Sequence, residues 1–352
     1  MLVVGTRLNW QWHFGEPPRW ARHARFIIVD IAPTPPPLPS PPSPPSLARL
    51  TLLGASKAKS KAPTHLLIAG DAKTVVGQLN ATLHAKPGGV RAAAGWVKAL
   101  QTACEAKRIA LAARLSRATH TPPPPPSPPP SPSPSPLQRT PLMDYDAAFG
   151  AVVRAIGAAE IAPYIVNEGA NTMDYGRLAL PMTFPRQRLD AGTWGTMGVG
   201  LGYAVAAAMA DSSRPVLAIL GDSAFGFSAM ECEVVVRYRL PVVIVVFNNG
   251  GVYGGDRRTQ EEQERAREGL RAGGFPPDPA PTAFAARCRY ERIMAAFGGV
   301  GVAVDAPAAL EAAVGKALRA CRAQPTLINA TIDPEAGAES ASLLSHNFAA
   351  KL

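Results

Sequence analysis

From residue 141 onward, apolar runs and amphipathic stretches take turns along the chain. Residues 145–159 carry helical periodicity, 163–168 form a short strand, and 194–210 begin Gly-rich and continue as a small-residue helix. Strand 216–220, helix 228–238 and strand 241–247 follow. The charged stretch within 252–275 reads as a solvated helix or loop, and 282–297, 308–322 and 326–332 add helix, helix and strand. Strands alternating with helices predict an α/β fold with a parallel sheet covered on both faces. Ligands then belong at the carboxyl ends of the strands.

The first 140 residues are organised differently. Residues 26–31 (FIIVDI) read as a buried strand. Residues 65–83 read as a short strand, a turn and an amphipathic helix with Val75, Val76, Leu79 and Leu83 on one face, and the Ala/Lys/Arg-rich residues 88–118 as helical. Two proline tracts, 33–46 and 121–136, interrupt the pattern. Proline fixes its own backbone and donates no hydrogen bond, so these are expected as extended polyproline II spacers outside any core. A role as SH3- or WW-type ligand stands beside that of a low-complexity insertion.

Charge changes the picture only when mapped. The net charge of +10 suggests nucleic acid, but residues 1–140 carry a balance of +13 and residues 141–352 one of −3. Basic character without a binding fold or interleaved aromatics does not argue for nucleic acid, and no nucleic-acid partner is expected. No apolar run reaches 18 residues, so no transmembrane helix is expected. The first residues lack the apolar core and small-residue cleavage site of a signal peptide. Cys104, Cys232, Cys288 and Cys321 lack metal or redox spacing and read as reduced thiols.

The candidate chemistry lies in residues 221–251. Asp222 follows the apolar strand 217–220, and an Asn pair, Asn248-Asn249, follows the next strand. Two oxygen donors thus stand at the ends of neighbouring strands. A hard divalent cation such as Mg²⁺ takes oxygen ligands and commonly shares its shell with phosphates. The amides of Ser223 and Ala224 open the following helix, where a diphosphate is favoured. An ordinary strand–helix–strand unit whose turns contain Asp and Asn is the alternative, since turns favour those residues.

This arrangement resembles the thiamin diphosphate motif, which begins Gly-Asp-Gly/Ser and ends in Asn-Asn. Four segments carry a closer resemblance: NEGANTMDYGR (167–177), RLDAGTWGTMGVGLGYA (188–204), GDSAFGFSAMECE (221–233) and RYRLPVVIVVFNNGGVYGG (237–255). They resemble the 2-hydroxyacyl-CoA lyase and oxalyl-CoA decarboxylase group of thiamin-diphosphate-dependent enzymes, in its carboxyl-terminal portion. The resemblance implies a doubly wound parallel sheet of the diphosphate-binding type, preceded by a partial central domain. The expected division is 1–85 as central-domain remnant, 86–140 as helical then proline-rich linker, 141–335 as thiamin-diphosphate-binding domain and 336–352 as tail or lid.

The resemblance also implies roles. Asp222, Asn249 and the Gly251 carbonyl would bind Mg²⁺. Asn171, Thr172, Gly221, Ser223, Ala224 and the Tyr253 backbone would approach the cofactor. The Gly195 carbonyl would accept a hydrogen bond from the cofactor's amino group, and Met197 would wedge between its rings, the alternative being a core methionine. Arg177 would contact coenzyme A, the alternative being a surface charge. The implied reaction cleaves a 2-hydroxyacyl-CoA to formyl-CoA and an aldehyde, as in fatty acid α-oxidation. Alternatives are oxalyl-CoA decarboxylase and a non-catalytic subunit that associates with a full-length paralogue.

The family's activating glutamate lies on a pyrimidine-binding domain ahead of the central domain. No catalytic residue is assigned in this chain, because residues 1–31 already resemble the end of the central domain. The chain is therefore expected to be incomplete as it stands, needing an oligomeric partner or a longer product to supply that domain. Gly250 stands where relatives often carry a third Asn. The carboxyl-terminal Ala350-Lys351-Leu352 is a conservative variant of the peroxisomal address, implying an import receptor as partner and a peroxisomal, otherwise cytoplasmic, location.

Overall fold

The computed structural model describes residues 1–6, 8, 12, 15–31, 64–85, 94–116, 142–180, 182–192, 194–256, 258–273, 282–285 and 287–334. Both proline tracts and the tail 336–352 lie outside the described residues. The chain forms two compact units, Met1–Ala103 and Cys104–Leu352.

The first unit holds a parallel sheet of β1 (Leu2–Val4), β2 (Phe26–Asp30) and β3 (Thr64–Ala69), in that order. Val3, Leu8 and Phe26 form its small core, with Trp20 packed edge-on against Phe26. Helix α1 (Ala72–His84) follows β3, capped by Asp71, whose carboxylate accepts from the Thr74 amide at 2.9 Å. Of the apolar face expected on this helix, Val75 is buried, whereas Val76 and Leu83 are exposed. Among the described residues only three strands make up this sheet, too few to cover a wide stripe.

Helix α2 (Ala94–Leu115) ends in the second unit, inside the stretch assigned above to the linker. Its carboxyl end docks on α3 (Tyr145–Ala159) through a bidentate Arg114–Asp146 pair at 2.9 and 3.0 Å and an Arg154 bond to the Leu115 carbonyl. Helix α3 starts at Asp144, whose carboxylate accepts from the Ala147 amide at 2.7 Å. Its Ala- and Gly-rich face lies almost wholly buried.

The second sheet has six parallel strands in the order β5-β4-β6-β7-β9-β8. They are β4 (Tyr164–Glu168), β5 (Arg188–Asp190), β6 (Val216–Gly221), β7 (Val242–Asn248), β8 (Val300–Val304) and β9 (Thr326–Thr331). The central strands β6 and β7 are buried on both sides, which is why they read as unbroken Val/Ile/Leu runs. Alternate residues face two cores. Leu217, Ile219, Val243 and Val245 pack with α3 and α10 (Pro307–Ala320). Ala218, Leu220, Ile244 and Val246 pack with α5 (Gly200–Ala210), Phe225 and Val235.

The remaining helices are α4 (Ala170–Ala179), α6 (Asp222–Gly226), α7 (Cys232–Arg237), α8 (Gln260–Arg271) and α9 (Glu291–Ala296). The single helix expected over 228–238 is instead a 3-10 turn, Ala229–Glu231, leading into α7. Of 282–297, only Glu291–Ala296 is helical among the described residues. Strands β5 and β8 sit at the two edges and were not expected, because half-exposed edge strands lack a continuous apolar run. From β4 the chain moves outward to β5, then crosses to β6 on the other side. The carboxyl ends of β4 and β6 therefore flank the topological switch point, where a crevice opens.

Candidate active site

Two turns meet at that crevice. Gly169, after β4, has φ of 102°, and a side chain there would press on the Gly221 amide at 3.3 Å. Only glycine allows this backbone and this approach together. Asp222, the first residue after β6, is buried. Its Oδ1 accepts from the Ser223 amide at 2.8 Å, and its Oδ2 accepts from the Gly250 and Gly251 amides at 2.9 and 3.0 Å. These donors are backbone N–H groups. Burial drives the Asp222 carboxyl up to about 6, with the amides opposing the shift.

The Asn pair divides its work. Asn249 donates to the Tyr253 carbonyl at 3.1 Å, and Asn171, at the start of α4, donates to the same carbonyl at 3.2 Å. Tyr253 itself has φ of 59°. The three thus tie the turn after β4 to the turn after β7. The Asn171 Oδ1 is buried with no hydrogen-bond partner. Asn248 faces away from the crevice and bonds the Cys288 carbonyl and Asn329. The turn 250–252 is clamped from outside by Val252 to Thr282 and Phe284 to Gly250 backbone bonds, each 2.8 Å.

On the opposite rim, Gly195 has φ of 64° and Trp194 is 93% exposed. Met197 is exposed and touches the Ser223 hydroxyl through its sulfur at 4.0 Å, so it is not a core residue. Glu168 holds this rim. Its Oε1 accepts from the Gly198 and Val199 amides, the latter at 2.9 Å, and its Oε2 from Gly200 at 3.1 Å. It thereby caps α5, and burial pushes its carboxyl upward against those three amides.

The structure brings Asn171, Asp222, Asn249, Gly251 and Tyr253 into one hydrogen-bonded set, with Met197 against Ser223. Thr172 is buried beside them, and its side chain meets the Tyr145 hydroxyl. The helix opened by Ser223 and Ala224 is only five residues long, and the Ser223 amide turns to the Asp222 carboxylate. Arg177 stands apart. Its Nε and Nη2 grip Asp190 at 3.0 and 3.1 Å, and Nη2 also reaches the Gly192 carbonyl. Residues 350–352 lie outside the described residues.

Two residues escaped the sequence reading of the site. Glu168 was visible as an acid at a strand end before Gly, but its three amide partners lie about thirty residues on. Tyr145 stacks on Tyr175 at 4.7 Å and is buried beneath Thr172 and Asn171, with its hydroxyl pushed up to about 12 by burial. No local pattern marks it.

The donor set fits a hard cation bound together with a phosphate-bearing cofactor. It offers one carboxylate, one side-chain amide oxygen and one carbonyl, and no cluster of three acidic, His or Cys ligands exists among the described residues. Such a set leaves coordination positions for phosphate oxygens.

Residues 168–330 match the family described as thiamine pyrophosphate enzyme, C-terminal TPP binding domain. The chain is 41% identical over 348 residues, 98% of its length, to a 2-hydroxyacyl-CoA lyase of Oryza sativa subsp. japonica. Over residues 168–330 it carries the C-terminal thiamine pyrophosphate-binding domain of these enzymes. Its similarity lies with the 2-hydroxyacyl-CoA lyase and oxalyl-CoA decarboxylase group, since it is also 47% identical over 184 residues to an oxalyl-CoA decarboxylase of Escherichia coli. The latter match covers 52% of this chain and 30% of the relative. Benzoylformate decarboxylase from Polynucleobacter necessarius shares the fold, with a TM-score of 0.57 at 16% identity over 95% of this chain and 49% of that one. The chain spans about half the length of the curated lyases it matches, 51% for the rice relative.

Proposed function

We propose that this chain forms the diphosphate- and cation-holding wall of a thiamin-diphosphate-dependent carbon–carbon lyase. The observation that carries the reading is Asp222. It is a buried carboxylate held by backbone amides at the switch point, beside Asn249 and Gly251. A buried charge is costly unless paired, and a divalent cation there would provide the pairing. Asp222, Asn249 Oδ1 and the Gly251 carbonyl would hold Mg²⁺. Asn171, Thr172, Ser223, Ala224 and the Tyr253 backbone would surround the diphosphate, with Gly221 allowing close approach and Tyr145 supporting Asn171 and Thr172 from below.

When bound, thiamin diphosphate supplies a nucleophilic carbon and an electron sink for cleavage next to a carbonyl. This chain's residues orient it. The Gly195 carbonyl and the Met197 side chain, on a rim fixed by Glu168, would set the cofactor's bend. The proposed substrate is a 2-hydroxyacyl-CoA, cleaved to formyl-CoA and an aldehyde. Oxalyl-CoA decarboxylation is the second reading, supported by the 47% identity over 184 residues to an oxalyl-CoA decarboxylase. A coenzyme A phosphate reaching Arg177 would compete with Asp190 for its fork. The Ala350-Lys351-Leu352 tail supports a peroxisomal setting through an import receptor. No helix among the described residues is long and apolar enough to cross a membrane.

Calorimetric titration with thiamin diphosphate, with and without Mg²⁺, tests the reading. Metal-dependent binding that disappears in Asp222→Ala supports it. Binding by a folded sample that ignores both Mg²⁺ and the substitution would refute the assignment of Asp222. Formyl-CoA released from a 2-hydroxyacyl-CoA or from oxalyl-CoA, by a form joined to the rest of the family's architecture, separates the two substrates.

A further inference from the structure

A chain of buried polar groups runs behind the crevice, from the surface to the turn that carries Asn249 and Gly251. It begins at Arg289, whose Nε donates to Glu291 Oε1. Glu291 is the first residue of α9, and its side chain is 6% exposed. Its Oε2 accepts from Asn329 Nδ2 at 2.8 Å. Asn329, in the middle of β9, accepts through Oδ1 from Asn248 Nδ2 at 3.1 Å. Asn248, the last residue of β7, accepts through its own Oδ1 from the Gly250 amide at 3.1 Å. Both Asn amides also donate to the Cys288 carbonyl, at 3.2 and 3.0 Å.

This sequence of bonds has a direction. A carboxylate only accepts, whereas a primary amide presents an acceptor at one end and donors at the other. Glu291 and the Cys288 carbonyl, both acceptors, therefore hold the NH₂ of Asn329 toward themselves. That turns the Asn329 oxygen toward Asn248, and in turn the Asn248 oxygen toward Gly250. Reversing Asn329 would set its N–H against that of Asn248, and reversing Asn248 would set its N–H against that of Gly250. The Gly250 amide is also shared with Asp222 Oδ2 at 2.9 Å, so the position of this one N–H depends on both partners. Asn249 and Gly251 flank it.

We infer that Glu291 and Asn329 are positioning residues for the cation site, fixing through Asn248 the turn that presents Asn249 and Gly251. The inference rests on the reading of Asp222, Asn249 and Gly251 as cation ligands. Supporting residues of this kind typically change metal affinity by about 10–100-fold when altered. Arg289 lies outside the directional part, since Glu291 accepts from Asn329 with or without it.

The test is a Mn²⁺ titration of the full chain with thiamin diphosphate present, read by the electron spin resonance of free Mn²⁺. Six proteins are compared: wild type, Asp222→Ala, Glu291→Leu, Glu291→Gln, Arg289→Ala and Asn329→Ala. The expected result is an affinity about tenfold weaker in Glu291→Leu and in Asn329→Ala, which break the bond between the two side chains. Glu291→Gln should stay within about twofold of wild type, because its amide oxygen can still accept from Asn329 Nδ2. Arg289→Ala should do the same, because Glu291 accepts from Asn329 without it. The split between Leu and Gln at one position separates the loss of the acceptor from the loss of the charge. Wild-type affinity in a folded Glu291→Leu protein would overturn the inference while leaving the cation site standing. Should Glu291→Leu not fold, wild-type affinity in a folded Asn329→Ala protein overturns it equally. Mn²⁺ binding absent from wild type, or unchanged in Asp222→Ala, would sink the ligand assignment itself and the inference with it.

Discussion

At the residue scale, the crevice depends on carboxylates placed where backbone amides converge. Asp222 and Glu168 look alike by this criterion, since each accepts from three N–H groups, but their surroundings give them different tasks. Asp222 stands among oxygen donors, and Glu168 closes a helix start. Replacing Asp222 by Asn keeps the shape and removes the charge. Metal-dependent binding of thiamin diphosphate should then weaken by more than the ~10–100-fold typical of a supporting residue, as calorimetry would show. Glu168→Gln should act on stability instead. One of its two oxygens becomes an NH₂ group that must face an amide donor, at a cost of about 1–3 kcal/mol. A lowered thermal midpoint would record it, and the fluorescence of Trp194, on the rim it holds, would shift with it. An unchanged midpoint would mean that the three amides find water instead.

At the element scale, what could be read in the sequence was what is buried on both sides. Strands β6 and β7 were legible because each is a continuous apolar run, and α3 and α10 because their apolar faces repeat with helical period. The edge strands β5 and β8 were not, since one is three polar-flanked residues and the other mixes Gly and Ala with Val. The same divide runs through the site. Asp222, Asn249 and Gly251 follow legible strands and carry a known spacing. Asn329 and Glu291 join the site only through pairing of β7 with β9 and the docking of α9, eighty and forty residues from Asn248. Gly176 in α4 shows how such packing overrides local preference. Alanine in a helix interior is ordinarily favoured over glycine by about 1 kcal/mol. Here a methyl group would collide with Asn167 Oδ1, itself buried and held by an Asn167 Nδ2 bond to the Ile219 carbonyl at 2.9 Å. Gly176→Ala should therefore destabilise by about 1–3 kcal/mol. A double variant with Asn167→Ala should lose less than the sum of the two single changes, because the collision vanishes with the side chain. Denaturant midpoints of the four proteins give the coupling directly, and strict additivity would rule the collision out.

At the scale of the whole molecule, the question is what this chain can do by itself. Its buried carboxylates among the described residues are Asp144, Glu168, Asp222, Asp256 and Glu291. Asp144 caps α3, Asp256 pairs with Arg258 at 2.8 Å, and Glu291 is bound to Asn329 and Arg289. Glu168 and Asp222 each accept from three amides, and on the proposed reading Asp222 also faces the cation. On the proposed reading each of these five holds structure or metal, and proton transfer at the far end of the cofactor falls to other groups. The expected outcome is a separation of binding from turnover. The purified chain should bind thiamin diphosphate in a Mg²⁺-dependent way yet release little formyl-CoA from a 2-hydroxyacyl-CoA. Mixing it with a full-length lyase disabled only at the residue equivalent to Asp222 should raise formyl-CoA release above that of either protein alone, if the two walls assemble across chains. Rapid turnover by the chain alone would show that a group of this chain moves the proton. Glu168 would be the first to examine, because its three amide partners lie on the rim beside Met197.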